Sequence, residues 1–252
     1  MANRAATEST EPSPRQSPFA LEARGVVKRY GRTAALRGVT LDVPWGEALV
    51  LFGANGSGKT TLIKVLAALA RPSAGEVRIA GRDPFREGPA LRRMVGVVTH
   101  QPLLYQDLTG HENLLFFGRM FGLEDQEAAI QQVSQLLGLE GQLHRRVRTL
   151  SHGTQKRLSL ARALLHDPPI LLLDEPETGL DQEAQGVLHT LLTDQRGGRT
   201  VVMTTHNLER GLAGASLVAL LDKGRIVYQE RRELVDTREL RSRYAHLVGS
   251  AS

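Results

Sequence analysis

The sequence predicts an α/β fold with a parallel sheet at its centre, an N-terminal antiparallel β layer and an inserted α-helical lobe. Short apolar runs that end in polar residues are typical of buried strands in a parallel sheet. Two alternating segments, residues 20–30 and 34–44, precede them and indicate antiparallel strands. From about residue 103 to residue 165 the apolar spacing becomes helical, which indicates the lobe. The apolar runs are residues 48–52, 94–99, 170–173 and 200–205.

The segment from Gly53 to Thr60 matches the phosphate-loop pattern G-x-x-x-x-G-K-[ST] at every fixed position. It lies between a strand-like run and a helical segment, so a simple glycine-rich turn is the less favoured interpretation. Its glycines allow backbone N–H groups to surround a phosphate chain, and the helix N-terminus adds a positive dipole end. Lys59 can reach the β- and γ-phosphates, and the Thr60 hydroxyl can bind Mg²⁺. We therefore predict a P-loop NTPase. The expected nucleotide-binding residues are Gly53, Ala54, Asn55, Gly56, Ser57, Gly58, Lys59, Thr60 and Thr61.

Two carboxylates, Asp174 and Glu175, end the apolar run at residues 170–173. Polar residues at the carboxyl ends of parallel strands lie beside the ligand crevice. Asp174 suits a direct or water-mediated contact to Mg²⁺, and Glu175 suits polarising the water that attacks the γ-phosphate. The alternative interpretation is that these acids cap a helix.

Two further polar residues follow core strands. Gln101 can offer an amide oxygen to Mg²⁺ or to the attacking water, although a surface glutamine before a proline is the plainer alternative. His206 follows the run at 200–205 and can contact the γ-phosphate, although a lone histidine is more often structural. We expect both side chains to act in catalysis.

Two other positions point to a nucleotide. Tyr30 lies at a strand end and can stack on the adenine ring, unless it is an ordinary half-buried tyrosine. Ser151 and Gly153 open a helical segment whose N-terminus can hold an anion, unless Ser151 is only an N-cap.

Composition limits the other function classes. The 252 residues include no cysteine, which excludes disulfides, zinc thiolate sites and thiol catalysis. The net charge of +5 is compatible with nucleic acid, acidic phospholipid or nucleotide, but six Phe, four Tyr and one Trp are too few for an aromatic nucleic-acid platform. We therefore expect no nucleic-acid partner. No apolar run is long enough to span a membrane, and the N-terminus lacks the apolar segment of a secretory signal.

We expect three parts: a disordered tail at residues 1–18, a nucleotide-binding domain at 19–230, and a charged helical tail at 231–252. Within the lobe, Met120 is expected to face the core together with Phe117.

With these residues in place, the chain resembles the ATP-binding subunit of ABC transporters over nearly all of residues 20–230. The family's motifs occur here in its order: Tyr30, the phosphate loop, Gln101, Leu150–Ser151, Asp174–Glu175 with Gly179–Asp181, and His206. The resemblance implies a RecA-like parallel core that binds ATP and Mg²⁺ and hydrolyses ATP. It also implies that Ser151, Gly153 and Asp181 contact the nucleotide.

The family's signature is usually Leu-Ser-Gly-Gly-Gln, whereas this chain has His152 and Thr154 at the third and fifth positions. Ser151 and Gly153 keep the hydroxyl and the backbone N–H. The resemblance implies a head-to-tail pair, of two copies or of one copy with a similar subunit, in which each ATP lies between one phosphate loop and the other chain's Ser151. It also implies a separate membrane-spanning subunit that docks near Gln101 and the lobe, at the cytoplasmic face of the cell membrane.

A finer resemblance concerns the segments Thr99–Pro102 and Leu108–Leu114. They are similar to those of the ATP-binding subunit of the haem exporter in cytochrome c maturation (CcmA), which implies haem export. Drug and polysaccharide or lipid exporters share much of the pattern. A non-transport regulatory ATPase is a further alternative, whereas the short span between Lys59 and Ser151 disfavours translation factors and DNA-repair proteins.

Overall fold

The computed structural model describes residues 17–180, 182–193 and 198–249. Of the predicted tail at 1–18, only Ser17 and Pro18 are described. The strands are β1 (Phe19–Tyr30), β2 (Thr33–Pro44), β3 (Ala48–Phe52), β4 (Ala74–Ile79), β5 (Val95–Val98), β6 (Ile170–Asp174), β7 (Thr200–Thr205), β8 (Leu217–Asp222) and β9 (Arg225–Arg231). The helices are α1 (Lys59–Leu66), α2 (Pro89–Arg92), α3 (Gly110–Phe121), α4 (Gln126–Leu136), α5 (His152–Leu164), α6 (Gln182–Thr193), α7 (Leu208–Gly214) and α8 (Thr237–Gly249).

A six-stranded sheet, ordered β5–β6–β7–β3–β8–β9, forms the centre of the molecule. Its first five strands run parallel, and β9 pairs antiparallel with β8. Asp174 at the end of β6 lies opposite Thr204 of β7, and Phe52 at the end of β3 lies opposite Thr205. The carboxyl ends of these strands therefore meet at one edge, and the strand directions confirm the predicted parallel core.

A separate three-stranded antiparallel sheet, ordered β2–β1–β4, confirms the predicted N-terminal layer. Helix α1 is buried between the two sheets, and one apolar cluster joins all three. The fully buried residues of α1 are Leu62, Ile63, Val65 and Leu66. Each such side chain contributes roughly 1.5–3 kcal/mol through burial, so the start of α1 is held firmly behind the phosphate loop.

The helical segment packs on the opposite face of the central sheet, where α3, α4 and α5 share a second apolar cluster with it. Helix α3 begins with a capping box at Thr109. The Thr109 hydroxyl accepts from the N–H of Glu112 at 3.1 Å, and the Glu112 carboxylate accepts from the N–H of Thr109 at 2.7 Å. The N–H and the hydroxyl of Thr109 both donate to the Glu112 carboxylate and lower the pKa of Glu112. The capping box fixes where the first helix of the lobe starts.

Met120 does not face the core, contrary to the sequence-based expectation. Its side chain is 51% exposed, whereas Phe117 on the same helix is buried. The helical period correctly identifies the apolar face of α3, but that face is wider than the surface that this chain covers.

The C-terminal helix α8 returns to the central sheet. Its Leu240 is buried, and Tyr244 packs edge-on against Phe52 at the end of β3, with ring centroids 6.1 Å apart. Among the described residues, no helix has both the length and the apolar character needed to cross a membrane.

Candidate nucleotide-binding site

The loop from Gly53 to Gly58 joins the end of β3 to the start of α1. Gly58 has a φ of +111°, and a Cβ atom there would lie 2.6 Å from the backbone oxygen of Ala35. A Cβ atom at Gly53 would lie 2.4 Å from the backbone oxygen of Leu221. Glycine is therefore required at both positions by the close approach of neighbouring backbone. The first N–H groups of α1 lie directly behind this loop, where they can bind an anion.

Lys59 is nearly buried, with 5% of its surface exposed. Its Nζ donates to the backbone oxygen of Gly53 at 2.8 Å and to that of Ala54 at 3.2 Å. These carbonyls offset the cost of burying the ammonium group and hold it at the mouth of the loop. The charge is thus positioned for a phosphate group that enters the loop.

A cavity of about 290 Å³ opens over the loop. Its lining joins the phosphate loop, the first residues of α1 and the ends of β5 and β6. The lining residues are Ala35, Asn55, Gly56, Gly58, Lys59, Thr60, Thr61, His100, Asp174 and Glu175. The structure therefore brings most of the predicted phosphate-binding residues together with both predicted carboxylates.

Asp174 ends β6 and is 2% exposed. Its Oδ1 accepts a hydrogen bond from the hydroxyl of Thr204 on the neighbouring strand at 2.8 Å. This contact fixes one carboxylate oxygen and orients the group at the floor of the cavity.

Glu175 has a φ of +46°, in the left-handed region that non-glycine residues rarely adopt. Its N–H donates to the backbone oxygen and to the hydroxyl of Thr204, at 3.1 and 3.0 Å. Its carboxylate lies 3.5 Å from Lys59 Nζ and 3.8 Å from His206 Nδ1. A backbone conformation that costs about 1–3 kcal/mol thus places this carboxylate between two predicted site residues.

His206 directly follows β7, and its side chain is 59% exposed. Its backbone oxygen accepts a hydrogen bond from the Tyr244 hydroxyl at 3.2 Å. The sequence predicted His206 at this edge of the sheet, but it offered no indication of Tyr244, which lies in a charged helix 38 residues later.

Gln101 and Tyr30 are not among the residues that line the cavity. Tyr30 is 52% exposed, with the Lys28 ammonium 5.2 Å from the centre of its ring. The residue before Gln101, His100, lines the cavity instead. The Thr99 hydroxyl donates to the backbone oxygen of Gln101 at 2.6 Å, which fixes the turn after β5. His100 is also a polar strand-end residue, so the same sequence signal could have identified it.

Ser151 and Gly153 lie at the start of α5 and do not line the cavity. Ser151 is the N-cap, and its hydroxyl accepts from the N–H of Thr154 at 3.2 Å. A Cβ atom at Gly153 would lie 3.0 Å from the backbone oxygen of Gly179. Asp181, also predicted to bind the nucleotide, lies outside the described residues.

Lys156 on α5 is a further buried charge that the sequence did not single out, with 7% of its surface exposed. Burial lowers the pKa of Lys156, and the nearby carboxylates of Asp174, Glu177 and Glu175 oppose that shift. The Lys156 ammonium group therefore lies near the acidic end of β6.

A second, apolar groove of about 490 Å³ lies between the lobe and the edge strand β5. It contains Met120 and Phe121 of α3 and Arg162 of α5. The Arg162 guanidinium donates to the backbone oxygen of Val97 and lies 5.2 Å from the ring centre of Phe117. Burial lowers the pKa of Arg162 only to about 10, so it stays charged at neutral pH.

His166 also lines this groove, with its ring stacked on Phe121 at a centroid distance of 3.8 Å. Burial lowers the pKa of His166 to about 4, so the ring is neutral at pH 7. The groove thus combines an apolar wall with the positive charges of Arg92 and Arg162.

Comparisons with known proteins agree with this geometry. Residues 36–178, more than half of the chain, match the sequence profile of the family described as ABC transporter. The chain is 37% identical over 209 residues to a Nod factor export ATP-binding protein I of Paraburkholderia xenovorans, which covers 82% of this chain and 69% of that protein. It is 36% identical over 211 residues to the daunorubicin resistance ATP-binding protein DrrA3 of Streptomyces coeruleorubidus, covering 82% of this chain and 67% of that one.

A solved structure shares the fold. The dimeric, post-hydrolysis structure of the ATP-binding cassette MJ0796 with ADP and Pi superposes with a TM-score of 0.75 at 27% identity. The match covers 84% of this chain and 98% of that one. The chain therefore belongs to the ABC transporter family, as one of its ATP-binding, ATP-hydrolysing cassettes.

Proposed function

We propose that this chain drives a transporter, and specifically an exporter, by closing two ATP sites between itself and a second cassette. The observation that supports this most directly is the line of contacts from Lys59 through Glu175 to His206 beside the phosphate cavity. These three neighbouring side chains supply a cation for the phosphates, a carboxylate for the attacking water and a histidine for the γ-phosphate.

Within this site, Lys59 and the N–H groups at the start of α1 hold the β- and γ-phosphates. Glu175 accepts a hydrogen bond from the attacking water and orients it, while His206 contacts the γ-phosphate from the other side. Gln101 takes part if the turn after β5 brings its amide toward the nucleotide, and Tyr30 stacks on the adenine. The Glu175 carboxylate lies between Lys59 and His206, which it contacts at 3.5 and 3.8 Å.

The cavity also suits Mg²⁺. Thr60 and Asp174 supply oxygen atoms in its lining, and Mg²⁺ is commonly held by one or two side chains together with phosphate oxygens. Gln101 is the third proposed ligand. When bound, the ion would neutralise charge on the β- and γ-phosphate oxygens.

The second half of each ATP site comes from another cassette. Ser151 and Gly153 lie at the start of α5, outside the cavity of their own chain, which supports a contact with another chain's nucleotide. Asp181 is proposed to act with them. The MJ0796 cassette is dimeric in its structure, and two copies of this chain, or one copy with a similar subunit, can pair in the same way.

The membrane partner docks in the apolar groove between α3, α5 and β5. Its wall exposes Met120 and Tyr105, and Arg162 supplies a positive charge at its floor. We propose that a short amphipathic segment of a membrane-spanning subunit occupies it, which places the chain at the cytoplasmic face of the cell membrane. Relatives named for Nod factor export and daunorubicin resistance support export as the direction.

Haem export for cytochrome c biogenesis is a second candidate, which only the segments Thr99–Pro102 and Leu108–Leu114 favour. A regulatory ATPase without a transporter is the alternative from another class. Recovery of the chain from membranes and identification of the protein bound to it separates the three candidates.

A mixing experiment tests the shared ATP sites. Lys59→Ala disables the phosphate loop, and Ser151→Asp keeps an N-cap acceptor but places a negative charge toward the partner's nucleotide. Each variant alone should be nearly inactive. A mixture should recover roughly a quarter of the ATPase activity, because half of the two-fold pairs then contain one intact site. No recovery on mixing, with both variants folded, would contradict the head-to-tail arrangement.

A further inference from the structure

The C-terminal helix α8 contacts the catalytic edge of the sheet through Tyr244, a residue to which the mechanism above gives no role. The Tyr244 hydroxyl donates to the backbone oxygen of His206 at 3.2 Å. Its ring packs edge-on against Phe52, the last residue before the phosphate loop. One side chain of α8 therefore contacts both the segment that carries His206 and the strand that carries the loop.

Helix α8 is anchored well enough to act as a support. Leu240, one turn before Tyr244, is 1% exposed within the apolar cluster of the central sheet. Arg241 forms an ion pair with Glu209 at 3.1 Å, which ties α8 to the helix that follows His206. Both contacts lie on the turn of α8 that precedes Tyr244 and limit the movement of this part of the helix.

The turn that carries His206 is held from the other side as well. The hydroxyl of Thr205 donates to Glu177 Oε1 and accepts from the N–H of Asn207 at 2.9 Å. Asn207 then caps α7, because its side chain accepts from the N–H of Arg210 at 3.0 Å. With Thr205 and Asn207 fixed, the hydrogen bond from Tyr244 completes the restraint on the backbone between them.

This restraint matters because the His206 side chain is 59% exposed and cannot be positioned by packing. Its distance of 3.8 Å from Glu175 Oε2 is set by the backbone that carries it. Small displacements of a catalytic group reduce its contribution strongly. Burial, together with the nearby Glu175, raises the pKa of Tyr244, so the phenol keeps its proton and remains a donor throughout the neutral range.

We propose that Tyr244 is a positioning residue for ATP hydrolysis, which holds the His206 turn in place from helix α8. This inference rests on the role of His206 in the proposed function. In this proposal, the C-terminal helix α8 supports the catalytic site of its own chain.

Tyr244→Phe in the full chain tests the proposal, since it removes the hydroxyl and keeps the ring against Phe52. The kcat for ATP should fall about three- to tenfold, as expected for one neutral hydrogen bond, while KM changes by less than about twofold. Tyr228→Phe is the matched control, because it removes a phenol hydroxyl from the neighbouring strand β9, where the ring faces Arg243. Its kcat should equal that of the parent.

A double-mutant cycle with His206→Ala separates positioning from a general structural effect. Once His206 is removed, Tyr244→Phe should have no further effect on kcat. A loss that multiplies with that of His206→Ala, or an unchanged kcat in Tyr244→Phe alone, would overturn the positioning role. An unchanged kcat in His206→Ala would instead show that the proposed role of His206 is wrong. Equal melting temperatures of the Tyr244→Phe and parent chains verify that both are folded.

Discussion

The carboxylate of Glu175 lies 3.5 Å from the ammonium group of Lys59 across the phosphate cavity. Lys59 is buried and its ammonium group already donates to two loop carbonyls, whereas Glu175 is held by a left-handed backbone conformation. In the proposed mechanism, an entering γ-phosphate therefore competes with Glu175 for the Lys59 ammonium group. Once the phosphate binds Lys59, the Glu175 carboxylate would be free to accept a hydrogen bond from the attacking water.

Glu175→Gln should separate binding from hydrolysis. ATP affinity should be equal or higher, because the amide neither repels the γ-phosphate nor competes for Lys59. Turnover should fall roughly 10²-fold or more, the usual scale for a group that acts on the transition state. Isothermal titration and phosphate release measure the two effects, and size-exclusion chromatography should show an ATP-bound dimer. Hydrolysis at the parent rate would show that Glu175 is not the catalytic carboxylate.

Lys59→Ala should weaken nucleotide binding. A charge-assisted hydrogen bond contributes about 1.5–3 kcal/mol, so the Kd for ATP should rise roughly 10- to 100-fold. Lys64→Ala is the matched control, because it removes the same charge from the last turn of the same helix. Titration with fluorescent ATP compares them, and equal affinities of the two variants would contradict the predicted contact with the phosphates.

Gly58→Ala should damage the loop more than Gly56→Ala. Both glycines have positive φ, of +111° and +78°, so each alanine carries backbone strain of about 1 kcal/mol or more. Only the Cβ at Gly58 also meets a backbone oxygen, that of Ala35 at 2.6 Å. Gly58→Ala should therefore lower both the melting temperature and ATP affinity, and Gly56→Ala should lower them less. The reverse order would mean that the loop relaxes away from β2.

The predicted site residues that the structure brings to one edge of the sheet were identified from local spacing and from sheet topology. The phosphate loop follows from a fixed pattern between a strand and a helix. The location of Asp174, Glu175 and His206 follows from sheet topology. The carboxyl ends of parallel strands lie at the same edge of a sheet, so polar residues that end such strands come close together. Neither inference requires knowledge of a contact between distant segments.

The parts that the sequence missed depend on such contacts. His100 lines the cavity instead of Gln101 because of a turn fixed by Thr99, and residue types alone do not decide which neighbour faces inward. Met120 lies on the apolar face of α3, as the helical periodicity predicts. Periodicity does not indicate whether that face is covered by the same chain or by a partner. Tyr244 reaches His206 across 38 residues, from a helix whose composition is typical of a solvated surface.

Stability should fall in mild acid because of His166. Its folded-state pKa is about 4 against an ordinary value of 6.5, so the unfolded chain binds the extra proton first. The contribution of neutral His166 to the free energy of unfolding is fully present above pH 6.5 and is lost as the pH falls toward 4. At pH 5 the free energy of unfolding should be lower by about 2 kcal/mol. His166→Phe, which can still stack on Phe121, should lose less stability between pH 8 and pH 5 in denaturant titrations. His144→Asn, at an exposed histidine, should keep the full loss, and identical curves for His166→Phe and the parent would contradict the assignment.

The apolar groove should be needed for the membrane partner but not for ATP. Met120→Glu places a carboxylate on its wall, where a docked apolar segment would have to desolvate it. Leu234→Glu is the matched control, because Leu234 is an exposed leucine, 67% accessible, that does not line the groove. ATP affinity should match the parent in both variants, since the groove and the phosphate cavity share no lining residue. Co-purification with membranes should fall several-fold for Met120→Glu and stay at the parent level for Leu234→Glu. Equal membrane recovery of the two variants would place the docking surface elsewhere on the cassette.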